Sequence, residues 1–317
     1  MQEKLLKISV LGVGGCGNNI LADIYKDLSN FKDKVDFYAL NTDVQALNLI
    51  IDTKQFPKEL AYQIGERTTK GMGAGSKPDV GKSAAQEDIE LIRTLITGKD
   101  LLIIITGIGG GTGSGVTPEV LREAKELDVL TIVFTIKPSD YEGLQRNKIA
   151  KDALKEIKEM SDTFITIHND ASESLIFKDS LDEINSAVSM GIQVILDVIT
   201  NPSVINLDFA DFTTIVKNGS KGYFSYASFD GDKRDERVVK ELARTALQPK
   251  TTLKRVRKAV MFVRGGSDMR KDEIKTVVGG LRDKLADDSL VIMGVALKEN
   301  KTSLDAVFLG VTGDKDE

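Results

Sequence analysis

The order of apolar segments along the chain predicts an α/β protein built on a doubly wound, mainly parallel sheet. In the first half, short apolar segments alternate with longer amphipathic stretches, which is typical of parallel strands joined by crossover helices. The expected strands are residues 5–11, 35–40, 101–106, 130–136 and 163–167. The Leu-Leu-Ile-Ile-Ile run at 101–105 has no polar alternation, which indicates a strand covered by helices on both faces.

The amphipathic stretches between these strands are expected to be helices, at residues 18–28, 81–96, 117–126 and 142–160. A longer stretch at 179–200 carries Ile184, Val188 and Ile192 at helical spacing, so it predicts a long central helix. Asn201-Pro202 ends this helix, because the residue before a proline is disfavoured in the α region.

Beyond the central helix the pattern predicts a second, smaller α/β domain. Its expected strands are 213–216, 223–229, 259–263, 290–296 and 304–311, and its expected helices lie near 234–247 and 272–285. The expected organisation is therefore a first domain at 1–178, a central connecting helix at 179–202 and a C-terminal domain at 203–317.

Composition excludes several classes of function. A net charge of −5 and a pI near 5.3 argue against a nucleic-acid partner, which needs an excess of Lys and Arg. The single cysteine, Cys16, excludes an internal disulfide framework, and the single histidine, His168, makes multi-histidine metal sites and Ser-His-Asp chemistry poor candidates. No leader and no apolar run of about 18 residues is present, so we expect a cytoplasmic protein without direct membrane insertion.

Two glycine-rich segments follow expected strands and precede expected helices. The first loop, residues 12–19, reads G-V-G-G-C-G-N-N and also fits the dinucleotide pattern G-x-G-x-x-G. The second loop, residues 107–115, reads G-I-G-G-G-T-G-S-G, with six glycines in nine residues. Such loops let backbone N–H groups approach phosphates at a helix N-terminus, and a run this long favours a triphosphate. The sheet is therefore expected to bind a nucleotide.

A third glycine-rich segment leaves two interpretations open. The third loop, residues 71–78, reads G-M-G-A-G-S-K-P and could cover a terminal phosphate or be an ordinary surface loop. Two glycine loops after separate strands argue against a simple dehydrogenase, which uses one such turn. The P-loop pattern G-x-x-x-x-G-K-[ST] is absent from the chain.

Several motifs in a fixed order point to a known family. The second loop contains G-G-G-T-G-S-G at 109–115, which matches the G-G-G-T-G-[ST]-G signature of the tubulin/FtsZ superfamily. Further matches are N-T-D at 41–43 with Q-A-L at 45–47, G-A-G at 73–75, K-P at 137–138 with Glu142, Gly143 and Arg146, N-L-D-F-A-D at 206–211 and G-G at 265–266. From about residue 8 to 311 the chain resembles FtsZ, the family of bacterial cell-division GTPases.

The resemblance implies a GTP or GDP site and places its residues. The implied nucleotide-binding residues are Gly15, Cys16, Gly17, Asn18, Asn19, Asn41, Gly73, Ala74, Gly75, Gly109, Gly110, Gly111, Thr112, Gly113, Ser114, Glu142, Arg146, Leu181 and Asn185. Glu142 and Arg146 would contact the ribose, and Asn19 and Asn185 would read guanine. Leu181 stands where the family has a stacking aromatic residue, Cys16 replaces a usual glycine, and FtsZ proteins more often have Asp at position 185.

From residue types alone, Asp208 and Asp211 could equally cap a helix or act in catalysis. The resemblance implies catalysis: Asn206, Asp208 and Asp211 would reach the nucleotide of the next subunit and orient the attacking water. Mg²⁺ would bridge the β- and γ-phosphates. The implied product is a head-to-tail homopolymer at the division site, with possible cell-division adaptor proteins as further partners.

Two rival functions stay open on the sequence. One is a filament-forming or regulatory FtsZ paralogue with weak GTP hydrolysis, since Cys16 and Leu181 depart from the family pattern. The other is a dinucleotide-dependent oxidoreductase that uses only the first loop.

Overall fold

The computed structural model describes residues 6–28, 31, 33–168, 177–200, 208–217, 220–244, 253–298 and 301–313. Contacts divide the chain into a first unit, Met1–Ser189, and a second unit, Met190–Glu317. The division falls within one long helix, Phe177–Thr200. Among the described helices, none is long and apolar enough to cross a bilayer.

The first unit is built on a parallel sheet. Its strands are β1 (Ile8–Val13), β2 (Val35–Asn41), β3 (Ala61–Gln63), β4 (Leu101–Gly107), β5 (Leu130–Lys137) and β6 (Thr163–His168). They lie in the order β3-β2-β1-β4-β5-β6, and all neighbours pair in parallel. Every residue of β1 is buried, as are the first six of β4. The structure thus confirms the expected doubly wound, mainly parallel sheet.

The sheet places the first two glycine loops side by side. From β1 the sheet continues on one side to β2 and β3, and from β4 it continues on the other side to β5 and β6. The switch point of the doubly wound sheet therefore lies between β1 and β4. Val13 at the end of β1 pairs with Thr106 near the end of β4. Both loops therefore leave the sheet at its carboxyl edge from adjacent strands, where open α/β sheets bind their ligands.

The helices of the first unit do not all begin where the sequence predicts. They are α1 (Gly14–Asp27), α2 (Val44–Lys54), α3 (Glu66–Thr69), α4 (Pro78–Glu87), α5 (Ile89–Ile96), α6 (Gly111–Glu126), α7 (Leu144–Met160) and, continuing into the second unit, α8 (Phe177–Thr200). The helices expected at 18–28 and 117–126 begin at Gly14 and Gly111, because the glycine loops form the first turns of α1 and α6. The elements α2, β3 and α3 were not expected.

The single helix expected at 81–96 is wrong, because the chain forms α4 and α5 with a break at Asp88. At Asp88 the backbone leaves helical geometry, with φ −114° and ψ 31°. Its carboxylate accepts a hydrogen bond of 2.6 Å from the N–H of Gly65. At the break between α4 and α5, Asp88 is therefore hydrogen-bonded to Gly65, in the segment that precedes the third glycine loop.

The second unit contains a mixed sheet. Its strands are β7 (Ser220–Phe229), β8 (Val256–Gly265), β9 (Leu290–Leu297) and β10 (Leu304–Thr312), and its helices are α9 (Phe209–Val216), α10 (Arg234–Leu242) and α11 (Lys271–Arg282). Strand β10 pairs antiparallel with β7 and β8, and β8 pairs in parallel with β9. The helix expected at 234–247 ends at Leu242, and residues 245–250 lie outside the described residues.

The strand expected at 213–216 is wrong, because these residues form the end of α9. The Asp208 carboxylate caps this helix by accepting a hydrogen bond of 2.7 Å from the N–H of Asp211. Phe212, Ile215 and Val216 are buried at helical spacing, so a run rich in β-branched residues was mistaken for a strand.

Candidate functional site

An open cleft lies at the carboxyl ends of β1, β4 and β5. The space inside this cleft is about 240 Å³. It is lined by Gly14, Gly15, Cys16, Gly107, Ile108, Gly110, Gly111, Thr112, Gly113, Ile136, Pro138, Glu142 and Arg146. The lining consists mainly of backbone from the first two glycine loops, with two charged side chains at one side.

Two helix N-termini contribute to this cleft. Helices α1 and α6 begin at Gly14 and Gly111, which both line it. Neither helix has a side-chain cap or an acidic residue in its first turn. Their first N–H groups have no partner within the helix, and the helix dipoles favour negative charge there. The cleft therefore has the chemistry of a phosphate site.

The glycines of the first loop serve two different purposes. A Cβ at Gly15 would have no other atom within 4 Å, so this residue opens onto the cleft. A Cβ at Gly17 would collide with the carbonyl oxygen of Ile105, so Gly17 lets α1 pack against β4. Gly14 has φ +72°, a conformation that favours glycine. Of the expected ligands, Gly15 therefore faces the cleft and Gly17 supports it.

The second loop shows the same division. A Cβ at Gly110 would meet nothing within 4 Å, whereas one at Gly113 would collide with the carbonyl oxygen of Gly107. The buried Ser114 accepts a hydrogen bond of 2.9 Å from the N–H of Gly109, so its hydroxyl shapes the loop. Gly109 has φ +104°, a backbone conformation that favours glycine.

A buried pair of amides ties the first loop to the segment after β2. The Nδ2 of Asn41 donates to the Oδ1 of Asn18 at 2.8 Å, and the Nδ2 of Asn18 donates to the carbonyl of Gly12 at 2.7 Å. The Oδ1 of Asn41 accepts from the N–H of Asp43 at 3.1 Å. Asn18 and Asn41, expected as nucleotide ligands, thus use these groups to hold the loop backbones.

The third loop is fixed against the second. The N–H of Gly73 donates to the carbonyl of Thr42 at 3.0 Å, and the hydroxyls of Thr42 and Thr112 are hydrogen-bonded at 2.6 Å. A Cβ at Gly111 would lie 2.8 Å from the Cβ of Ala74, which is buried. Gly73, Ala74 and Gly75 are not part of the cleft lining, but they border it where Gly111 and Thr112 begin α6.

The charged side of the cleft is a paired glutamate and arginine. The Oε2 of Glu142 lies 2.7 Å from a guanidinium nitrogen of Arg146, and its Oε1 accepts from the N–H of Ser139 at 2.9 Å. Cys16 lies nearby. Although that residue as a whole is exposed, burial of its thiol by the surrounding protein atoms, together with the nearby Glu142 carboxylate, raises the pKa of Cys16 to about 12. The thiol is therefore neutral at physiological pH.

The two asparagines expected to read guanine are joined through residues that sequence reasoning missed. The Nδ2 of Asn185 donates to the Oδ2 of Asp23 at 3.0 Å. The Nζ of Lys54 lies 2.7 Å from the Oδ1 of Asp23 and donates to the carbonyl of Asn19 at 3.1 Å. These residues come from α1, α2 and α8, so no local motif could reveal the cluster. The Leu181 side chain lies outside the described residues.

The expected catalytic residues belong to the second unit. Asp208 caps α9 with its Oδ1, so the capping interpretation is confirmed for that oxygen. Asp211 contributes only its backbone N–H to the cap. Asp208 is exposed and Asp211 is half-buried. Asn206 lies outside the described residues.

No group of three or more His, Cys, Asp or Glu side chains that could hold a metal ion occurs in the described part of the chain. Mg²⁺ usually keeps several waters and binds through substrate phosphates rather than in an all-protein cage. A Mg²⁺ ion at this cleft would therefore be held mainly through nucleotide phosphates rather than by protein carboxylates.

Comparison with known proteins agrees with this site. The sequence profile described as "Tubulin/FtsZ family, GTPase domain" matches residues 7–176. The "Cell division protein FtsZ" of Aquifex aeolicus is 33% identical over 316 residues, covering 98% of this chain and 84% of that protein. The chain belongs to the tubulin/FtsZ family. The family resemblance expected from the motifs is confirmed, and the oxidoreductase is removed as an alternative.

Solved structures of the tubulin/FtsZ family share the fold. A structure described as an empty FtsZ dimer from M. jannaschii has a TM-score of 0.86 and 27% identity, covering 98% of this chain and 89% of that chain. The GDP-bound CetZ1 monomer from Haloferax volcanii has a TM-score of 0.81 at 19% identity, covering 98% and 95%, which shows the fold alone. The first unit therefore carries the family's GTPase domain.

Proposed function

We propose that this protein is a GTP-dependent, self-assembling GTPase of cell division. Its subunits join head to tail, and the Asn206, Asp208 and Asp211 segment of one subunit completes the GTP site of the next. Residues 1–178 are the GTP-binding domain, 179–202 the connecting helix and 203–317 the activation and polymerisation domain. The cell-division name of the Aquifex aeolicus relative and the dimeric state of the M. jannaschii FtsZ structure support this assignment.

One observation carries the proposal: the cleft can bind phosphates but has no base of its own. Among the described residues that line it, the titratable side chains are those of Cys16, Glu142 and Arg146. The Cys16 thiol is neutral, and the Glu142 carboxylate is paired with the Arg146 guanidinium. Phosphoryl transfer depends mainly on positioning and on charge stabilisation, so carboxylates supplied from outside would be sufficient.

The GTP-binding role is divided among the parts of the cleft. The N–H groups at the starts of α1 and α6, next to Gly15 and Gly110, hold the phosphates. The Glu142 carboxylate accepts hydrogen bonds from ribose hydroxyls, and Arg146 lies beside it. Asn19 and Asn185 read the base. Mg²⁺ would be held by the nucleotide phosphates and would supply positive charge against the negative charge that develops on them during hydrolysis.

The catalytic role falls to the acidic residues at the start of α9. Asp208 has one oxygen in the helix cap, and its other oxygen, which has no hydrogen-bond partner among the described residues, would accept from the attacking water. Asp211 presents its carboxylate from the first turn of the same helix, and Asn206 fixes the segment by hydrogen bonds. Loss of the γ-phosphate removes contacts to the third loop and weakens the subunit interface, so the filament is dynamic.

A head-to-tail contact does not close on itself, so assembly gives a filament. The main partner is a second copy of this chain, with cell-division adaptor proteins as further partners and no nucleic acid. The expected location is the cytoplasm at the division site, without direct membrane insertion.

Complementation between two inactive variants tests the composite site. Asp211→Ala should bind GTP and assemble but lose about 100-fold or more of its hydrolysis, as for removal of a group that acts in the transition state. Gly110→Asp should fold, because its side chain enters open space, but a carboxylate in the cleft should repel the phosphates. Phosphate release by a mixture of the two should exceed the sum of their separate rates.

The mixture works because Asp211→Ala supplies intact GTP sites while Gly110→Asp supplies intact acids. Gly110→Ala is the matched control for Gly110→Asp, since it adds volume without charge and should retain more GTP binding. Normal hydrolysis by Asp211→Ala alone would contradict the catalytic role of Asp211. A mixture with no gain over its components would contradict hydrolysis in trans.

A filament-forming or regulatory paralogue with weak hydrolysis is the second candidate. It is favoured by Cys16, a side chain at the mouth of the cleft where the family has glycine. Light scattering that rises with GTP without phosphate release would support this candidate over the active GTPase.

A further inference from the structure

The Asp23 carboxylate links two residues from distant parts of the chain. Its Oδ2 accepts from the Nδ2 of Asn185 at 3.0 Å, and its Oδ1 lies 2.7 Å from the Nζ of Lys54. The Asp23 side chain is 38% exposed and that of Lys54 is 26% exposed. Both oxygens of the carboxylate are therefore engaged, although the group remains partly open to solvent.

An ionised carboxylate can only accept hydrogen bonds, whereas a side-chain amide both donates and accepts. Asp23 therefore requires that the amide of Asn185 turn its NH₂ group toward the carboxylate. The Oδ1 of Asn185 must then point away from Asp23. In the described part of the chain, this oxygen has no hydrogen-bond partner, so it remains available as an acceptor for a ligand.

Helix geometry places Asp23, and with it Asn185, next to the phosphate cleft. Cys16, Asn19 and Asp23 are spaced i, i+3 and i+7, so they share one face of α1, and Cys16 lines the cleft. At a rise of 1.5 Å per residue, Asp23 lies about 10 Å along the helix axis from Cys16. A nucleotide with its phosphates at the start of α1 would extend its base along this face.

The edge of guanine that carries N1–H and the 2-amino group consists of hydrogen-bond donors and needs acceptors. If the Asn185 amide could rotate freely, it could turn its NH₂ group toward this edge of guanine. The NH₂ donors would then face the N1–H and 2-amino donors, and no hydrogen bond would form. We propose that Asp23 is a positioning residue that fixes the Asn185 amide as an acceptor and thereby sets the preference for guanine. This inference rests on the proposed GTP-binding function and assigns a new residue to it.

Lys54 completes the arrangement. Its ammonium group neutralises Asp23 and, through the carbonyl of Asn19, attaches the end of α2 to α1. The three residues thus replace the single acidic residue that FtsZ proteins more often have at position 185.

The preference for one nucleotide over another reports the orientation of the Asn185 amide. Xanthosine triphosphate carries an oxygen in place of the 2-amino group of GTP, so it needs a donor at that position. The intact protein should prefer GTP over xanthosine triphosphate by about tenfold or more in dissociation constant. Asp23→Asn should reduce this ratio about tenfold, because an amide at position 23 no longer dictates the orientation of Asn185.

A second substitution separates positioning from general damage. Asp at position 185 is an acceptor in every orientation, so Asn185→Asp combined with Asp23→Asn should restore the preference for GTP. Asn185→Asp alone should weaken GTP binding, because it sets two carboxylates against each other. A merely structural role for Asp23 would predict that the double variant is no better than either single variant.

The control is Asp52→Asn, which removes an equal charge from an exposed position on α2 and should leave the ratio unchanged. An unchanged ratio in Asp23→Asn, or a double variant without rescue, would overturn the positioning role while GTP binding stands. If the unaltered protein bound neither nucleotide in an equilibrium titration with Mg²⁺, the proposed function itself would fail, and this inference with it.

Discussion

The phosphate side and the base side of the candidate site are built from different materials. The phosphate side consists of backbone from two adjacent loops, packed so closely that several glycines cannot accept a Cβ. The base side consists of side chains from α1, α2 and α8 that meet through hydrogen bonds and an ion pair. The structure of the phosphate side depends on how much space each glycine leaves, whereas that of the base side depends on charge and on the orientation of an amide.

This difference predicts different responses to substitution. A change at the tightly packed glycines of the phosphate side, such as Gly17 and Gly113, should alter the stability of the fold, because α1 and α6 pack through these glycines. A change on the base side should alter nucleotide selectivity with little effect on stability, because its charged groups are partly exposed. Three substitutions test this comparison, taken from the largest expected effect to the smallest.

Gly17→Ala should lower the free energy of unfolding by about 3 kcal/mol, as expected for overpacking of a close backbone contact. The added Cβ would collide with the carbonyl oxygen of Ile105, so α1 would have to move away from β4. Urea unfolding followed by circular dichroism measures the change. Gly15→Ala is the matched control, and its stability should stay within about 0.5 kcal/mol of the unaltered protein. Equal stabilities for the two variants would contradict the division of roles.

Asn41→Ala should lower the free energy of unfolding by about 2 kcal/mol. It leaves the buried Oδ1 of Asn18 and the N–H of Asp43 without their partner, and an unsatisfied buried polar group costs about 1–3 kcal/mol. Thermal unfolding would show the loss. Asn48→Ala, an exposed position on α2, should cause a change within about 0.5 kcal/mol. If both variants were equally stable, the amide pair would not hold the loops.

Lys54→Met should change the free energy of unfolding by only about 0.5 kcal/mol, since it removes a partly exposed ion pair. The difference from the unaltered protein should shrink in high salt, which screens the pair. Urea titrations at low and high ionic strength measure both effects, with exposed Lys58→Met as the control. A loss comparable to that of Gly17→Ala would contradict the view that the base side contributes selectivity rather than stability.

The phosphate side could be predicted from the sequence because its information is local. Glycine loops that follow apolar strands locate the site, and the structure brings both loops to neighbouring strands. The same pattern could not separate residues that face the cleft, such as Gly15 and Gly110, from those that support it, such as Gly17 and Gly113. That distinction depends on which backbone atoms approach each glycine after folding.

The base side could not be predicted in the same way. Asp23 and Lys54 are ordinary charged residues on amphipathic helices, and only the packing of α1, α2 and α8 brings them to Asn185. The strand expected at 213–216 failed for a related reason. The hydrogen bond from the Asp211 N–H to Asp208 starts a helix there, against the β-propensity of the residues that follow.

The most direct test of the account is the rate of GTP hydrolysis per subunit against protein concentration, with Mg²⁺ and with light scattering recorded on the same sample. A site completed by a neighbouring subunit predicts little hydrolysis below a threshold concentration and a rise at the concentration where scattering begins. Asp211→Ala should then scatter light without releasing phosphate. A rate per subunit that stays constant from the lowest concentration upward would contradict the composite site.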